Sequence, residues 1–302
     1  MPLYIRKLPC ASGLMVDEKQ IPKNTALYNP SKAGNWTYIR QTEYIPSGEI
    51  NSMLIHDEKT GKVTHVDSPY DLMPKTVNLF RGIEDLRLCE WEGRIWFGGT
   101  STHISENMNN ELVVGYFNKD LTRVEKLQMV DIGSRPVKNV IPFVYEGKLC
   151  FLDVYLRSIY QLQEATLPKG SEAPATEEGK WTVETIKKLR PASGISEEKY
   201  RGSTSPIHLH GNIYGCVVHD IIFNDNKRLM NRLAYMHYWM EFDILTGLIT
   251  FISTPFWIAH WGVEYVSGIE RDNEGKINLF LGIQDKLPMK AVTSLSDLRV
   301  GK

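Results

Sequence analysis

These 302 residues contain no polybasic tract: 35 Lys and Arg stand against 36 Asp and Glu along the chain. Such a balance argues against a nucleic-acid or anionic-membrane surface as the chain's main business. Cysteine is scarce. Cys10, Cys89, Cys150 and Cys216 lie far apart, with no C-x-x-C pair and no metal-ligand spacing. Three of them fall in apolar strand-like runs, where a free thiol behaves as a small hydrophobe. No apolar run is long enough to cross a bilayer, and the opening MPLYIRKLPC has no apolar stretch of the length a secretory leader needs. The expectation is a soluble, cytoplasmic protein with no nucleic-acid or membrane partner and no resident metal or cofactor.

Long helical periodicity is also hard to find. RLAYMHYWMEF has a superficially helical look, but its β-branched and aromatic neighbours favour a strand. Strand patterns dominate instead: TYIRQTEYI, NSMLIHD, RIWFGGTST, ELVVGYF, KLCFLDVYL, NIYGCVVHDII, LITFIS and KINLFLGI. One turn recurs among them, as GNWTYIR at Gly34, GRIWFGG at Gly93, GKLCFLD at Gly147, GNIYGCV at Gly211 and GKINLFL at Gly275, with spacings of 59, 54, 64 and 64 residues. A glycine followed by a polar residue and an apolar strand is the mark of a tight β-hairpin that needs positive φ. Five all-β units of this length read as a single-domain five-bladed β-propeller over 1–302, each blade of about four antiparallel strands. The approximate blades are 26–70, 80–131, 137–190, 202–253 and 261–302, the last completed by the N-terminal segment. Two stacked sandwiches do not predict the same turn five times. The Pro-, Gly- and Glu-rich stretch at 164–180 is read as a surface loop of blade 3, because the repeat resumes after it.

In a propeller the first strand of each blade lines the central channel, and ligands sit at one mouth. The starts of first strands and the ends of second strands meet at the same rim. Here those positions carry Asn29 and Ser31, Glu84, Asp85 and Arg87, Lys138 and Asn139, Arg201, Ser203 and Ser205, Glu264, Arg40, Asp153, His219 and Asp285. Carboxylates mixed with cations and amides can hold a polyhydroxylated ligand, protonate a leaving oxygen and bind an anion.

Each residue also has a plainer reading. Asp85 between Arg81 and Arg87 can be a surface ion pair. Glu264 can hydrogen-bond backbone amides. His219, in a buried run, can be a satisfied core residue, and the two imidazoles of HLH at 208–210 lack a third ligand. The aromatics of YMHYWMEF and FWIAHW can stack on sugars, although most suit inter-blade core. The alignment of polar groups with the repeat in every blade favours a site.

The ordered series N-P-S, an Arg-bearing strand, G-x-E-D-x-R, K-N, G-S-x-S-P-I with Y-G-x-V-V-H, Y-x-H…F-D, V-E-Y and G-x-x-D resembles the five-bladed propellers of the β-mannoside phosphorylase family, glycoside hydrolase family 130. Related propellers are mannosyltransferases. The resemblance runs from Asn29 to Asp285 and implies a carbohydrate-active enzyme that works on β-mannosides or related glycosides by inverting phosphorolysis or transfer. It implies Asp85 as general acid, its proton reaching the glycosidic oxygen through a sugar hydroxyl. Arg40, Lys138, Asn139 and His219 would hold inorganic phosphate or a sugar phosphate, with Asn29 and Asp285 on sugar hydroxyls. Leu86 stands where the family has Pro, and the basic cluster after K-N is thinner.

Glu84 is expected to orient Asp85 or a sugar hydroxyl, and Ser203 is placed among the substrate-binding residues. Arg87, two residues beyond Asp85 on the same strand face, is expected to touch the site. A hydrolase of this shape needs a second carboxylate about 6.5–9.5 Å from the acid, for which Glu264 is the candidate. A non-catalytic glycan-binding propeller is the rival reading. The site reading requires Asp85, His219, Glu264 and Asp285 to converge on one channel mouth.

Overall fold

The computed structural model describes residues 5–17, 19, 21–46, 48–67, 80–102, 110–133, 137–164, 180–198, 200–223 and 233–301. They form five sheets, the blades of a five-bladed β-propeller. Blade 1 runs outward through Thr25–Ala33, Trp36–Ile45, Gly48–Asp57 and Val63–Val66, with Phe80–Arg81 beside Gly48–Asp57. Blade 2 is Glu84–Trp91, Arg94–Ser101, Glu111–Phe117 and Val124–Val130. Blade 3 is Val140–Tyr145, Lys148–Asp153, Ser158–Glu164 and Trp181–Lys188. Blade 5 is Glu264–Arg271, Ile277–Ile283 and Leu287–Thr293, with the N-terminal strand Ala11–Leu14 outermost. The first strands touch one another in a ring.

Blade 4 departs from the four-stranded pattern. It is a mixed eight-stranded sheet built on Ile213–Phe223, Leu233–Asp243 and Leu248–Ile252, so RLAYMHYWMEF is strand from Leu233 onward. Its inner edge is split into Arg201–Gly202 and Ile207–His210. Pro206, which has no N–H to donate, sits in the break, and the Thr204 hydroxyl accepts from the Val217 amide instead. Phe256–Trp257 pairs in parallel with Arg6–Lys7, so the N-terminus joins two blades.

The repeated glycines do what their sequence context requires. Gly93 and Gly147 have φ of 69° and 72°, and the Glu before each is also left-handed, at 49°. Two consecutive positive φ values make the two-residue turn that matches strand twist, between the pairs Trp91↔Arg94 and Tyr145↔Lys148. The stretch read as a blade-3 loop lies, at 165–179, outside the described residues.

Strand alternation divides the core among neighbouring blades. On one blade-2 strand, Phe97 joins Tyr38, Met53 and Ile55 of blade 1, while its neighbour Trp96 joins Phe151 and Tyr160 of blade 3. Likewise Cys216 and Val218 face blade 3 and Val217 faces blade 5. Both faces of these strands are buried, which explains their continuous apolar runs. Cys89, Cys150 and Cys216 are free and buried, and desolvation pushes the first two thiols up to about 12 and about 11. At the seam between blades 5 and 1 the backbones come close: a side chain at Gly282 would meet Asn29, and one at Gly268 would meet Pro30 and Ser31.

Arg6 locks the N-terminal strap to the chain's other end. Its Nη2 donates to the carbonyls of Asp297 (2.6 Å) and Leu298 (3.3 Å), both in the short helix Leu295–Leu298, and its Nε to Thr254 Oγ1. Charge-assisted bonds of this kind are worth about 1.5–3 kcal/mol each. Arg6→Met, which keeps the aliphatic volume, is expected to lower the melting temperature by roughly 5 °C, read by differential scanning calorimetry.

Candidate functional site

Three first-strand residues share one unusual backbone state. Asn29 (φ 50°), Asp85 (φ 52°) and Asn139 (φ 59°) are left-handed, at matching positions of blades 1, 2 and 3. The pairing slips between Tyr28 and Ser31 and between Glu84 and Arg87, so two of the three sit in β-bulges. Asn and Asp tolerate this conformation better than other non-glycine residues, and such strain collects at functional sites. The bulges bring these side chains together at one mouth of the channel.

Asp85 is the centre of the cluster. Its Oδ1 accepts from Asn29 Nδ2 (2.7 Å) and from Arg40 Nη1 (3.0 Å), and its side chain remains 27 % exposed. Burial alone would raise its pKa. The guanidiniums of Arg40 and then Arg87, with the Asn29 bond, outweigh that and hold the carboxyl below its ordinary value. Asp85 is therefore a carboxylate in the ligand-free protein.

Arg40 is enclosed by acceptors. Nη2 lies 3.0 Å from Glu49 and 3.6 Å from Glu84, Nε donates to Asn51 Oδ1 (2.8 Å), and the Tyr28 ring is 4.9 Å from the guanidinium. Two further carboxyls differ from Asp85. Glu84 is held above its ordinary value by burial, despite Arg40, with the Asp85 charge adding to the rise. Asp285, an exposed rim residue, is raised by desolvation in its crowded surroundings and then by Asp85. One mouth thus holds an ionised carboxylate beside two that protonate more readily, the usual preparation for acid–base work.

The opposite flank is built by Arg87. It is 1 % exposed and donates to the carbonyls of Ser203 (2.7 Å), Asp85 (2.7 Å) and Leu86 (3.2 Å) and to the Tyr265 hydroxyl (2.5 Å). Tyr265 in turn donates to Asn139 Oδ1 (2.7 Å), and Ser203 Oγ bonds His219 Nδ1 (2.8 Å). His219 packs edge-on against Tyr235 and Tyr265.

Several expected roles change on this geometry. Arg87 is a buried brace: its donors are spent on the protein, so it holds the Asp85 backbone and does not face a ligand. Asp85's carboxylate partner is Arg40 of blade 1, not one of the arginines flanking it in sequence. Arg40, Lys138 and His219 do not assemble into a cationic cradle. Arg40 is occupied by carboxylates, and burial, followed by the charges of His237, Arg201 and Arg87, holds His219 well below its ordinary pKa, as a neutral imidazole. Arg157 turns to the carbonyls of Glu197 and Glu198.

Glu264 does not join Asp85, His219 and Asp285. It is 0 % exposed, and its oxygens accept from the amides of Ile258 (2.7 Å), Ala259 (2.7 Å) and His260 (2.9 Å), with His237 Nε2 at 3.6 Å. A carboxylate so occupied cannot activate water at the mouth, so the base expected there is a loop brace. Three of the four residues expected to converge do so.

Exposed cations at the rim include Lys138, whose charge acts on Glu84, and Arg201, whose charge acts on His219 and Tyr235. The Arg201–Gly202 strand lies against the Asn139 carbonyl, next to Lys138. Arg201 was placed at the rim without a role, and Glu49, Asn51 and Tyr265 were not among the candidates. The signal for Arg201 was its position at a first-strand start, whereas Glu49 and Asn51 sit on a third strand that the repeat does not mark. Among the described residues no cluster of His, Cys, Asp and Glu is arranged to hold a metal, and His208 bonds the Gly211 carbonyl. A cleft of about 470 Å³ between Trp36, Glu90, Arg94 and Phe117 opens at the hairpin end of blade 2, away from Asp85.

No protein-family model and no curated protein matches the chain. Solved structures do. A mannose phosphorylase from Leishmania mexicana, in complex with phosphate ion, aligns with TM-score 0.61 and 15 % identity over 96 % of this chain and 89 % of that one. A GDP-Man-dependent mannosyltransferase from the same organism gives 0.55 and 13 % over 92 % and 89 %. A β-1,2-mannobiose phosphorylase from Listeria innocua, in complex with β-1,2-mannobiose, gives 0.52 and 11 % over 92 % and 93 %. At these identities the likeness establishes the fold: this is a five-bladed propeller of the architecture found in those enzymes.

Glu264 predicts a pH dependence of stability. Burial would raise its pKa, but His237 and the amide donors bring it below the ordinary value. A carboxyl with a depressed folded pKa stabilises the fold at pH above its unfolded value, and that contribution is lost as pH falls through the folded value. Glu264→Gln should cost about 2–3 kcal/mol near pH 7 and should flatten the stability loss of the wild type below about pH 4.5, measured by urea unfolding across pH.

Proposed function

We propose that this mouth is the active site of a carbohydrate-active enzyme that moves a glycosyl unit, of the β-mannoside class or a close relative, with inversion. The observation that carries the reading is the Asn29–Asp85–Arg40 cluster, a partly exposed carboxylate on a left-handed bulge residue in a propeller whose fold is shared with mannosyl-processing enzymes. Asn29, Glu84 and Asp285 surround Asp85 with the donors and acceptors that sugar hydroxyls require.

In the proposed reaction the glycoside enters over Asp85 and covers its exposed face. Further desolvation disfavours the carboxylate, so Asp85 takes up a proton as substrate binds. That proton passes, through a sugar hydroxyl, to the glycosidic oxygen as the bond from the anomeric carbon breaks. A nucleophile oxygen forms the new bond from the opposite face. Lys138 and Arg201, beside Asn139, hold a phosphate or sugar phosphate on that side, because Arg40 is buried and engaged by Asp85, Glu49 and Asn51. Phosphate carries its own negative charge, so no general base is needed.

The resting ionisation of Asp85 also favours a second reading, a propeller that binds glycans without turning them over. Asp85→Asn separates the two. As an enzyme, the protein should lose turnover by a factor on the order of 10²–10⁴ while keeping affinity for mannosides within a few-fold. Titration calorimetry at pH 6 in buffers of different ionisation enthalpy should find close to one proton taken up per ligand by the wild type and none by Asp85→Asn. Wild-type binding without turnover, across mannosyl phosphates and mannosides assayed for phosphate release or uptake, would instead make this a binding module.

A further inference from the structure

Glu264 is wasted as a base but fully invested in one segment, residues 258–263. That segment carries Trp261, which is 48 % exposed and is the one exposed residue among the seven tryptophans. The segment is held on both sides of Trp261. Glu264 takes the amides of Ile258, Ala259 and His260, the Gly262 carbonyl accepts from the Tyr235 amide (3.0 Å), and the Val263 carbonyl accepts from the Gln284 amide (2.7 Å). His260 Nε2 and Gln284 Nε2 are 2.8 Å apart in a further bond.

Both neighbours of the segment belong to the mouth. Tyr235 packs on His219 and lies 5.9 Å, ring to ring, from Tyr265. Gln284 precedes Asp285, and both are left-handed, at 53° and 50°. An indole left half in water, with His260 and Gly262 on either side of it anchored, is a flat apolar surface on a segment tied to Tyr235 and Gln284 of the mouth. The apolar faces of pyranose rings stack on such surfaces, and preorganisation reduces the entropy lost on binding.

We propose that Trp261 is the stacking platform of a second sugar subsite, for the pyranose ring joined to the one held at Asp85, and that Glu264 is its positioning residue. This rests on the glycoside reading above and deepens it: the ligand spans at least two sugar units, and the second is recognised by its ring face. Trp261 contributes affinity for the longer ligand and nothing to the first sugar.

The test uses the Asp85→Asn protein, so that ligands are not consumed, with mannose and β-linked mannobiose and mannotriose followed by calorimetry and tryptophan fluorescence. Mannobiose is expected to bind more tightly than mannose by about tenfold and to perturb the fluorescence. Adding Trp261→Ala should abolish that gain and the fluorescence change while leaving mannose affinity intact, and Trp261→Phe should restore most of the gain. Glu264→Gln should reduce the gain without altering mannose binding, a split that mere destabilisation of the fold would not produce. If sugars bind and the gain survives Trp261→Ala, or if mannose weakens equally, the subsite is wrong and the glycoside reading stands. If no sugar of the set binds the Asp85→Asn protein, the glycoside reading falls and the subsite with it.

Discussion

Arg87 is the brace on which the mouth depends. A guanidinium almost wholly removed from water must satisfy its donors within the protein, and Arg87 does so on blades 2, 4 and 5 at once. Two of its bonds end on the carbonyls of Asp85 and Leu86, the residues of the bulge, so the same interaction that ties the blades across the axis also holds Asp85 in its left-handed state. Through the Tyr265 hydroxyl it reaches Asn139 of blade 3. Geometry at the Asp85 carboxylate and closure of the ring are therefore one problem solved by one side chain.

Electrostatics in the mouth follow from how the cations are divided. Arg40 and Arg87 are buried and spent on the protein, so their fields act on Asp85 without offering donors to a ligand. Glu84 and Asp285 lie farther from that compensation, and desolvation prevails there. The result is a set of carboxyls with separated proton affinities inside one small opening. Lys138 and Arg201, two cations that face solvent, stand on the blade 3–4 side, opposite the blade 1–2 pair that sets the ionisation of Asp85.

Much of the architecture was legible because it is local. The five glycine turns need only positive φ between apolar strands, and all five have it. Strand extents such as Glu111–Phe117 and Ile277–Ile283 follow from runs of apolar and β-branched residues. The site was legible in part for a similar reason: the repeat places equivalent residues at equivalent points, so Asn29, Asp85 and Asn139 could be grouped before their contacts were known. Partner choice was not. Asp85 has arginines at 81 and 87 in its own blade, yet its carboxylate pairs with Arg40, 45 residues away. Glu264 looked like a base because it begins a first strand, as Glu84 does. What differs is the chain before it, which folds back to offer it three amides.

The sequence by itself therefore determined the turn chemistry, the strand alternation and the ring of five repeats, since each depends on residues within a few positions of one another. It also determined which residue types reach the rim. Only the tertiary structure decided what each of them does there. Ionisation, solvent access and hydrogen-bond partners depend on groups brought together from different blades. That is why Arg87 is a brace and not a ligand contact, why His219 is neutral, and why Glu264 holds the backbone at 258–260.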